Sequence, residues 1–243
     1  LNMAGQGVRL DKALVQLGLV TTRSQAESYI RLGRVRVSGR LITKPGYFVH
    51  DLSLVELDQP EQFVSRAGLK LASVADKLAV DFRGKLVLDV GSSTGGFTDY
   101  TLSRGARRVI CVDVGTDQLH PKLRRDARVE LHEKTDIRDF VTNQPVDIIL
   151  IDVSFISLRE VLPHLAELAT RQTQVVAMVK PQFETGNRLK NRGVIKNDTE
   201  RRRILHDFEQ WAKRYFLLRA KADSAVAGAR GNRERFYLLT KPA

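Results

Sequence analysis

The segment Leu86-Val-Leu-Asp-Val-Gly-Ser-Ser-Thr-Gly-Gly-Phe-Thr98 limits what this chain can fold into more than any other part of it. An apolar strand carrying Asp89 runs into a glycine-rich turn, and a helix begins on the far side. In a doubly wound sheet this first crossover is where a nucleotide-like ligand sits, beyond the carboxyl end of the strand. Gly91, Gly95 and Gly96 let the backbone approach such a ligand and take positive φ where the turn needs it.

The flanking sequence repeats this order. Hydrophobic periodicity predicts strands over residues 86–90, 109–112, 147–151 and 175–179. It predicts helices over about 67–78, 96–103, 158–169 and 199–215. Two late β-like runs, 217–222 and 236–239, suit a terminal hairpin. The expected fold is therefore α/β: a Rossmann-like, doubly wound, mostly parallel sheet with helices on both faces and an antiparallel terminal hairpin. A small α+β domain, residues 1–58, precedes it, with a polar linker at 59–65 around Gln59-Pro-Glu-Gln62 and the larger domain at 66–243.

Three ligand classes compete for the glycine loop. A triphosphate-cradling loop ends in Gly-Lys-Ser/Thr and a dinucleotide loop reads G-x-G-x-x-G; Gly91-Ser-Ser-Thr-Gly95-Gly96 does neither. S-adenosylmethionine has a ribose and a charged amino-acid end but no phosphate, and it suits the acids here. Asp113, at the end of the second strand, is placed to accept from ribose hydroxyls, and Asp136 to reach the adenine amino group. The expected contact set is Asp89, Gly91, Ser92, Ser93, Thr94, Gly95, Gly96, Phe97, Thr98, Asp113, Val114, Gln118, Asp136, Ile137 and Asp152. A glycine turn with no ligand is the competing reading, and an NAD-binding oxidoreductase is disfavoured by the glycine spacing.

Charge points to a polyanionic partner. The chain carries a formal net charge of +12, and half of that surplus lies between Arg9 and Lys44. There, Arg9, Lys12, Arg23, Arg31, Arg34, Arg36, Arg40 and Lys44 face only Asp11 and Glu27. Such a face holds a phosphate backbone with little sequence information; a merely solvated face is the alternative. Helical spacing over Arg9–Gly18, a capping box at Thr22-Arg-Ser-Gln25, a strand at Val35–Val37 and another over residues 53–57 make one compact unit. The stretch Arg9-Leu-Asp-Lys-Ala-Leu, Thr22-Arg-Ser-Gln-Ala and Gly33-Arg-Val-Arg-Val-Ser-Gly39 resembles the S4-like RNA-binding domain. That resemblance implies contact with structured RNA through the two helices and the following turn.

The lone cysteine, Cys111, excludes internal disulfides and cysteine-rich zinc sites, and the five histidines lack metal-ligand spacing, so no metal is expected. No apolar run approaches the roughly 20 residues that span a bilayer, and no signal peptide opens the chain. A cytoplasmic protein without a membrane partner is the expectation.

From about Arg9 to its C-terminus the chain resembles the TlyA family, through Asp89-Val-Gly-Ser-Ser-Thr-Gly-Gly-Phe-Thr-Asp99, Asp152-Val-Ser-Phe-Ile-Ser157, Lys180-Pro-Gln-Phe-Glu184 and Gly231-Asn-Arg-Glu234. In that family an S4-like domain precedes an FtsJ-like ribose methyltransferase domain. The resemblance implies methylation of a cytidine 2′-hydroxyl in ribosomal RNA, with ribosomal subunits as partners. It implies a catalytic tetrad of Lys70, Asp152, Lys180 and Glu234. Asp152 and Lys180 each follow an apolar run, which independently puts both at the mouth of neighbouring parallel strands. A lysine made less basic by its surroundings could take the hydroxyl proton, which makes Lys180 the candidate base and Lys70 the orienting cation.

Some motif residues invite a plainer reading. Phe155 and Phe183 are expected to be packing residues rather than base-stacking platforms. Arg188, Lys190, Arg192 and Lys196 suit either a phosphate-holding loop or a solvated one. Arg201-Arg-Arg203 opposes the dipole at a helix start, a conflict that an anionic partner would relieve. Two rival functions remain: a non-catalytic RNA-binding assembly factor, and a membrane-lytic protein, since some family members are labelled haemolysin.

Overall fold

The computed structural model describes residues 7–20, 22–58, 63–185, 194–195, 197–228 and 231–242. Gln59–Gln62 of the expected linker and the basic residues Arg188, Lys190, Arg192 and Lys196 lie outside them. The chain divides into two compact units, 1–62 and 63–243.

In the first unit, β1 (Val8–Arg9) leads into α1 (Leu10–Gln16) and α2 (Arg23–Arg31). Leu10, Ala13 and Leu14 of α1 and Ala26, Tyr29 and Ile30 of α2 are buried, as one-face spacing requires. The Thr22 hydroxyl accepts from Gln25 N at 3.2 Å, so the predicted cap is formed. β2 (Val35–Val37), β3 (Arg40–Leu41) and β5 (Val55–Leu57) make a three-stranded sheet, while β4 (Phe48–Val49) pairs antiparallel with β1. The strand expected over 53–57 is shorter than predicted. The Asp51 carboxylate accepts from Ser53 N at 2.9 Å, and Leu52–Leu54 turn as a 3₁₀ segment.

The second unit runs α3 (Arg66–Ala72), β6 (Leu86–Val90), α4 (Gly96–Ser103), β7 (Arg108–Val112), α5 (Pro121–Arg124), β8 (Val129–His132), β9 (Ile148–Ile151), α6 (Leu158–Leu168), β10 (Gln174–Val179), α7 (Pro181–Glu184), α8 (Asp198–Ala212), β11 (Leu217–Asp223) and β12 (Arg235–Thr240). Its seven-stranded sheet has the order β11-β12-β10-β9-β6-β7-β8. Five strands are parallel; β12 pairs antiparallel with β10 and with β11. Successive residues of β6 feed opposite faces: Leu86 and Leu88 join α6 and α8 in one core, and Val87 joins α3 and α4 in the other. Burial on both faces explains the near-continuous apolar runs of β9 and β10.

Two elements depart from expectation. β8 had no clear pattern, because Val129-Glu-Leu-His132 is a half-buried edge strand. α3 ends at Ala72 rather than near residue 78: the Ser73 hydroxyl bonds the Lys70 carbonyl at 2.6 Å, and turns follow. Val74, Ala75 and Leu78 remain buried, so their spacing reported burial without a helix.

The chain winds outward from β6 to β8 in one direction and through β9 to β10 in the other. The strand order therefore reverses between β6 and β9, which opens a crevice at their carboxyl ends. α3 is set beside that crevice by a close crossing with α4. A Cβ on Gly68 would lie 2.9 Å from the Gly96 carbonyl oxygen, and one on Gly96 would lie 2.8 Å from Gly68 N. Gly96 therefore serves helix packing, which fixes the helix that carries Lys70.

Candidate active site

A cavity of about 350 Å³ occupies the crevice. Gly91, at the end of β6, has φ +78° and donates to the Val112 carbonyl at 2.9 Å. Asp113 anchors the opposite lip: its carboxylate accepts from Ser93 N at 2.8 Å and Gly115 N at 2.7 Å. The Ser93 hydroxyl donates to Gln118 Oε1 at 3.0 Å. Asp136 caps its own turn and holds the Arg138 guanidinium at 2.6 Å, which keeps its carboxyl below the usual range. Asp152 stands on the far wall, its amide bonded to the Val90 carbonyl at 2.9 Å.

Eight of the expected cofactor residues line this cavity: Gly91, Ser93, Asp113, Val114, Gln118, Asp136, Ile137 and Asp152. The other seven lie off its wall and build the loop from beneath. Asp89 is fully buried; it accepts from the Thr98 hydroxyl at 2.6 Å, and burial pushes its carboxyl up to about 7. Thr98 also lies 3.0 Å from the Cys111 sulfur. Ser92 is buried, Thr94 accepts from His120 N at 3.2 Å through its carbonyl, and Gly95 backs onto Leu119 and Leu123. Phe97 packs in the core, its ring 6.0 Å from that of Phe236. Thr135, Val153, Ser154, Ile156 and Val161 line the cavity without having been expected there. Apolar burial and loop tracing, rather than residue chemistry, put them in place.

A second pocket, of about 300 Å³, adjoins the first through Ser154 and Phe155. Its walls carry Lys70, Lys180, Gln182, Phe183, Asn232 and Glu234. The four predicted catalytic residues form two buried ion pairs. Lys180 Nζ lies 2.6 Å from Asp152 Oδ1 and donates to the Ser154 hydroxyl at 2.7 Å. Lys70 Nζ lies 2.6 Å from Glu234 Oε2. Each ammonium thus has its own carboxylate, and Asp152 links the pocket to the larger cavity. Ser154 was missed as a partner; only its place in the Asp152–Ser157 motif hinted at it.

The chain on either side of Glu234 is held by a part-buried network. Arg201 on α8 donates to the Arg233 carbonyl at 3.0 Å and to Asp223 at 2.7 Å, and Asp223 also accepts from Arg235 at 2.6 Å. Burial opposes the charge on Asp223, but the bonds from Arg235 and Arg201 outweigh it and bring the carboxyl down to about 2. For Arg201 the expected conflict at the start of α8 is therefore met within the chain, while Arg202 and Arg203 are exposed. Arg201 is buried against Asp223, Asp198 and Glu200 lie in the first turn, and Asn197 caps it. The Asn232 carboxamide oxygen accepts from Ile195 N at 3.0 Å.

Phe155 is not a packing residue. It is 77% exposed, takes φ +68°, and holds its ring 5.4 Å from that of Phe183, at the junction of the two pockets. A bulky side chain in the left-handed region is a costly arrangement that the surroundings must enforce.

In the first unit, Lys12, Arg31, Arg34, Arg40 and Lys44 are exposed. Arg9 and Arg23 are committed differently: both bind the buried Asp11, at 2.9 and 2.7 Å. Burial works against the charge on Asp11, but these bonds hold its carboxyl below the usual range. Arg36 donates to the Gly39 carbonyl at 3.2 Å and approaches Asp58 at 4.0 Å. Among the described residues there is no helix long and apolar enough to cross a membrane, and no cluster of His, Cys, Asp and Glu that could hold a metal ion.

Residues 63–241 match the family described as FtsJ-like methyltransferase, and residues 8–51 match the S4 domain. The chain belongs to the FtsJ-like methyltransferases. It is 38% identical to a candidate rRNA methyltransferase, YqxC, of Bacillus subtilis strain 168, over 99% of this chain and 88% of that protein. It is 39% identical to the 16S/23S rRNA (cytidine-2′-O)-methyltransferase TlyA of Mycobacterium tuberculosis strain H37Rv, over 80% of this chain and 74% of that one. A solved structure of a candidate hemolysin from Streptococcus thermophilus aligns with a TM-score of 0.71 at 35% identity, covering 98% of this chain and 90% of that chain. With the S4 domain ahead of the FtsJ-like domain, the chain is a member of the TlyA family.

Proposed function

We infer that this chain transfers a methyl group from S-adenosylmethionine to the ribose 2′-hydroxyl of a cytidine in ribosomal RNA. The observation that carries the reading is the joining of two pockets at Asp152–Phe155: one with the polar lining of a nucleoside site, the other with two buried lysine–carboxylate pairs. The base and the RNA class are carried over from what the Mycobacterium tuberculosis relative is named for.

The first cavity fits the cofactor chemically. Asp113 and Gln118 present polar groups just beyond β7, and Val114 and Ile137 offer apolar contact. When bound, the cofactor supplies a methyl group on a sulfonium centre. The chain's own task is to align a very weak nucleophile and receive its proton. Lys180 Nζ is our proton acceptor, a role that requires the ammonium of its ion pair first to give up a proton, with Asp152 and Ser154 fixing its position. Lys70, held by Glu234, orients the hydroxyl from the other side. The exposed ring of Phe155, tilted 50° to that of Phe183, suits stacking on an extruded base. The exposed basic residues of the first unit are assigned to the phosphate backbone. A cytoplasmic setting follows from that substrate.

The test is transfer of labelled methyl from S-adenosylmethionine to ribosomal subunits lacking the modification, followed by mapping of ribose methylation. One defined ribose should be modified, and Lys180→Ala should lose roughly 10²–10⁴ in rate while still binding cofactor. Wild-type protein that binds cofactor but modifies neither subunits nor free rRNA would overturn the reading. Equal turnover by Lys180→Ala would refute the base assignment alone.

A further inference from the structure

Two motif residues, Ser157 and Glu184, touch neither pocket, yet they join the two segments that carry Asp152 and Lys180. Glu184 ends α7, one turn after Lys180, and that turn is closed by Phe183 N bonding the Lys180 carbonyl at 2.9 Å. The Glu184 side chain is only 1% exposed. Its two oxygens reach across to the loop after β9. Oε2 accepts from the Ser157 hydroxyl at 2.6 Å, and Oε1 accepts from Leu158 N at 2.8 Å. Ser157 lies three positions beyond Ser154, which is bonded to Lys180. The loop from Asp152 to Ser157 and the turn from Lys180 to Glu184 are thus tied at both ends: at the reactive end by Lys180, and at the distal end by Glu184.

Capping of α6 accounts for only part of this carboxylate's role. Its Oε1 takes the first amide of that helix, Leu158 N, while the Ser157 hydroxyl already caps it by accepting from Arg159 N at 3.1 Å, so Oε2 is left to bind the loop itself through the Ser157 hydroxyl. A buried carboxylate carries a desolvation cost, and burial indeed pushes the Glu184 carboxyl up. Arg159 stands 3.7 Å away with its guanidinium over Trp211, a loose partner for a buried charge. What the carboxylate adds beyond the hydroxyl is the cross-link between two loops.

Resting on the methyl-transfer reading above, we propose that Glu184 is a positioning residue for the reaction. It clamps the Lys180 turn to the Asp152–Ser157 segment, and so holds Lys180 at bonding distance from Asp152 and Ser154 and keeps Phe183 beside Phe155. Without the clamp the two loops are free to shift relative to one another. Geometry of that kind matters to rate far more than to binding, since a misplacement of about 1 Å can cost roughly a hundredfold.

The experiment uses the full chain, ribosomal subunits lacking the modification, and the variants Glu184→Ala, Glu184→Gln, Ser157→Ala and Ser157→Ala/Glu184→Ala. Steady-state transfer, cofactor affinity by calorimetry and thermal unfolding are measured for each. The expected result is a kcat reduced on the order of a hundredfold in Glu184→Ala with cofactor affinity unchanged. Glu184→Gln, which keeps one acceptor, should fall between it and the wild type. The double variant should be no slower than Glu184→Ala, because both changes open the same link. A Glu184→Ala kcat equal to wild type would overturn the proposal. So would a kcat loss matched by an equal loss of cofactor affinity and melting temperature, or strict additivity in the double variant. Should Glu184→Ala fail to fold, Glu184→Gln and Ser157→Ala answer the same question. Absence of transfer by the wild type would overturn the underlying reading, and this proposal with it, before any variant is compared.

Discussion

Gly91→Ala tests whether the crevice depends on the close approach of β6 to β9. Gly91 sits at φ +78°, and a Cβ placed on it would lie 2.8 Å from the Asp152 carbonyl oxygen, 3.1 Å from its carbonyl carbon and 3.3 Å from Val153 Cα. All three are backbone atoms of the neighbouring strand end, so no rotamer change relieves the contact. The left-handed conformation costs a non-glycine residue about 1–3 kcal/mol. Overpacking against fixed atoms adds about 1–3 kcal/mol more. At about 2–4 °C per kcal/mol for a domain of this size, the variant should melt roughly 4 to 24 °C below wild type.

Gly84→Ala separates the two contributions. Gly84 has φ +71°, but a Cβ there would meet nothing within 4 Å, so only the conformational cost applies. Thermal unfolding of both variants, with titration of S-adenosylmethionine into each, makes the comparison. Gly91→Ala should melt below Gly84→Ala. It should also lose cofactor affinity and methyl transfer, because relieving the clash moves the Asp152 carbonyl and with it the Asp152–Lys180 pair. Equal melting of the two variants, with cofactor binding retained by Gly91→Ala, would refute the argument that this contact shapes the site.

Three further outcomes follow from the geometry. Phe155→Ala should leave the melting temperature near wild type, since the ring is 77% exposed, yet lower kcat/KM roughly ten- to a hundredfold through lost base stacking; unchanged transfer would remove Phe155 from RNA recognition. Asp223 has its carboxyl lowered from 3.8 to about 2, so its contribution to stability is present above about pH 4 and lost as pH falls toward 2. In Asp223→Asn that acid-sensitive component of the unfolding curve should be missing. Asp89 has the opposite sign: raised from 3.8 to about 7, it favours the folded state fully only below pH 3.8, and that advantage fades as pH rises through 7. The cofactor-free Asp89→Asn protein should therefore gain stability over wild type as pH rises across that window, and a pH-independent difference would contradict a buried carboxyl that charges only with difficulty.

What could be read in the sequence follows from which physical signals are local. Strands buried on both faces leave apolar runs, so β6, β9 and β10 and the ionisable residues just past their ends were visible, Asp152 and Lys180 among them. The glycine loop was visible too, but the reason for each glycine was not. Gly96 looked like room for a ligand, and it is room for α3, because the partner that needs the space lies about 30 residues earlier in the chain. Charge counting is blind in a similar way. A surplus of lysine and arginine cannot separate Arg31 or Arg40 from Arg9 and Arg23, which reach solvent in part but are bound by the buried Asp11. Nor can it show that Arg201 answers Asp223 rather than an external anion. Lys70 and Glu234 were located only by resemblance, because their pairing is made by the crossing of α3 against α4 and the return of β12 into the sheet. Phe155 was read wrongly for the same reason. Aromatic residues in short motifs usually pack, and only the backbone turn at φ +68° sends this one outward. A local pattern can therefore name the strand end at which chemistry occurs. Which charges remain free to do that chemistry is decided by tertiary pairing, and it is the pairings of Asp152 and Glu234 that hold the two lysines in place.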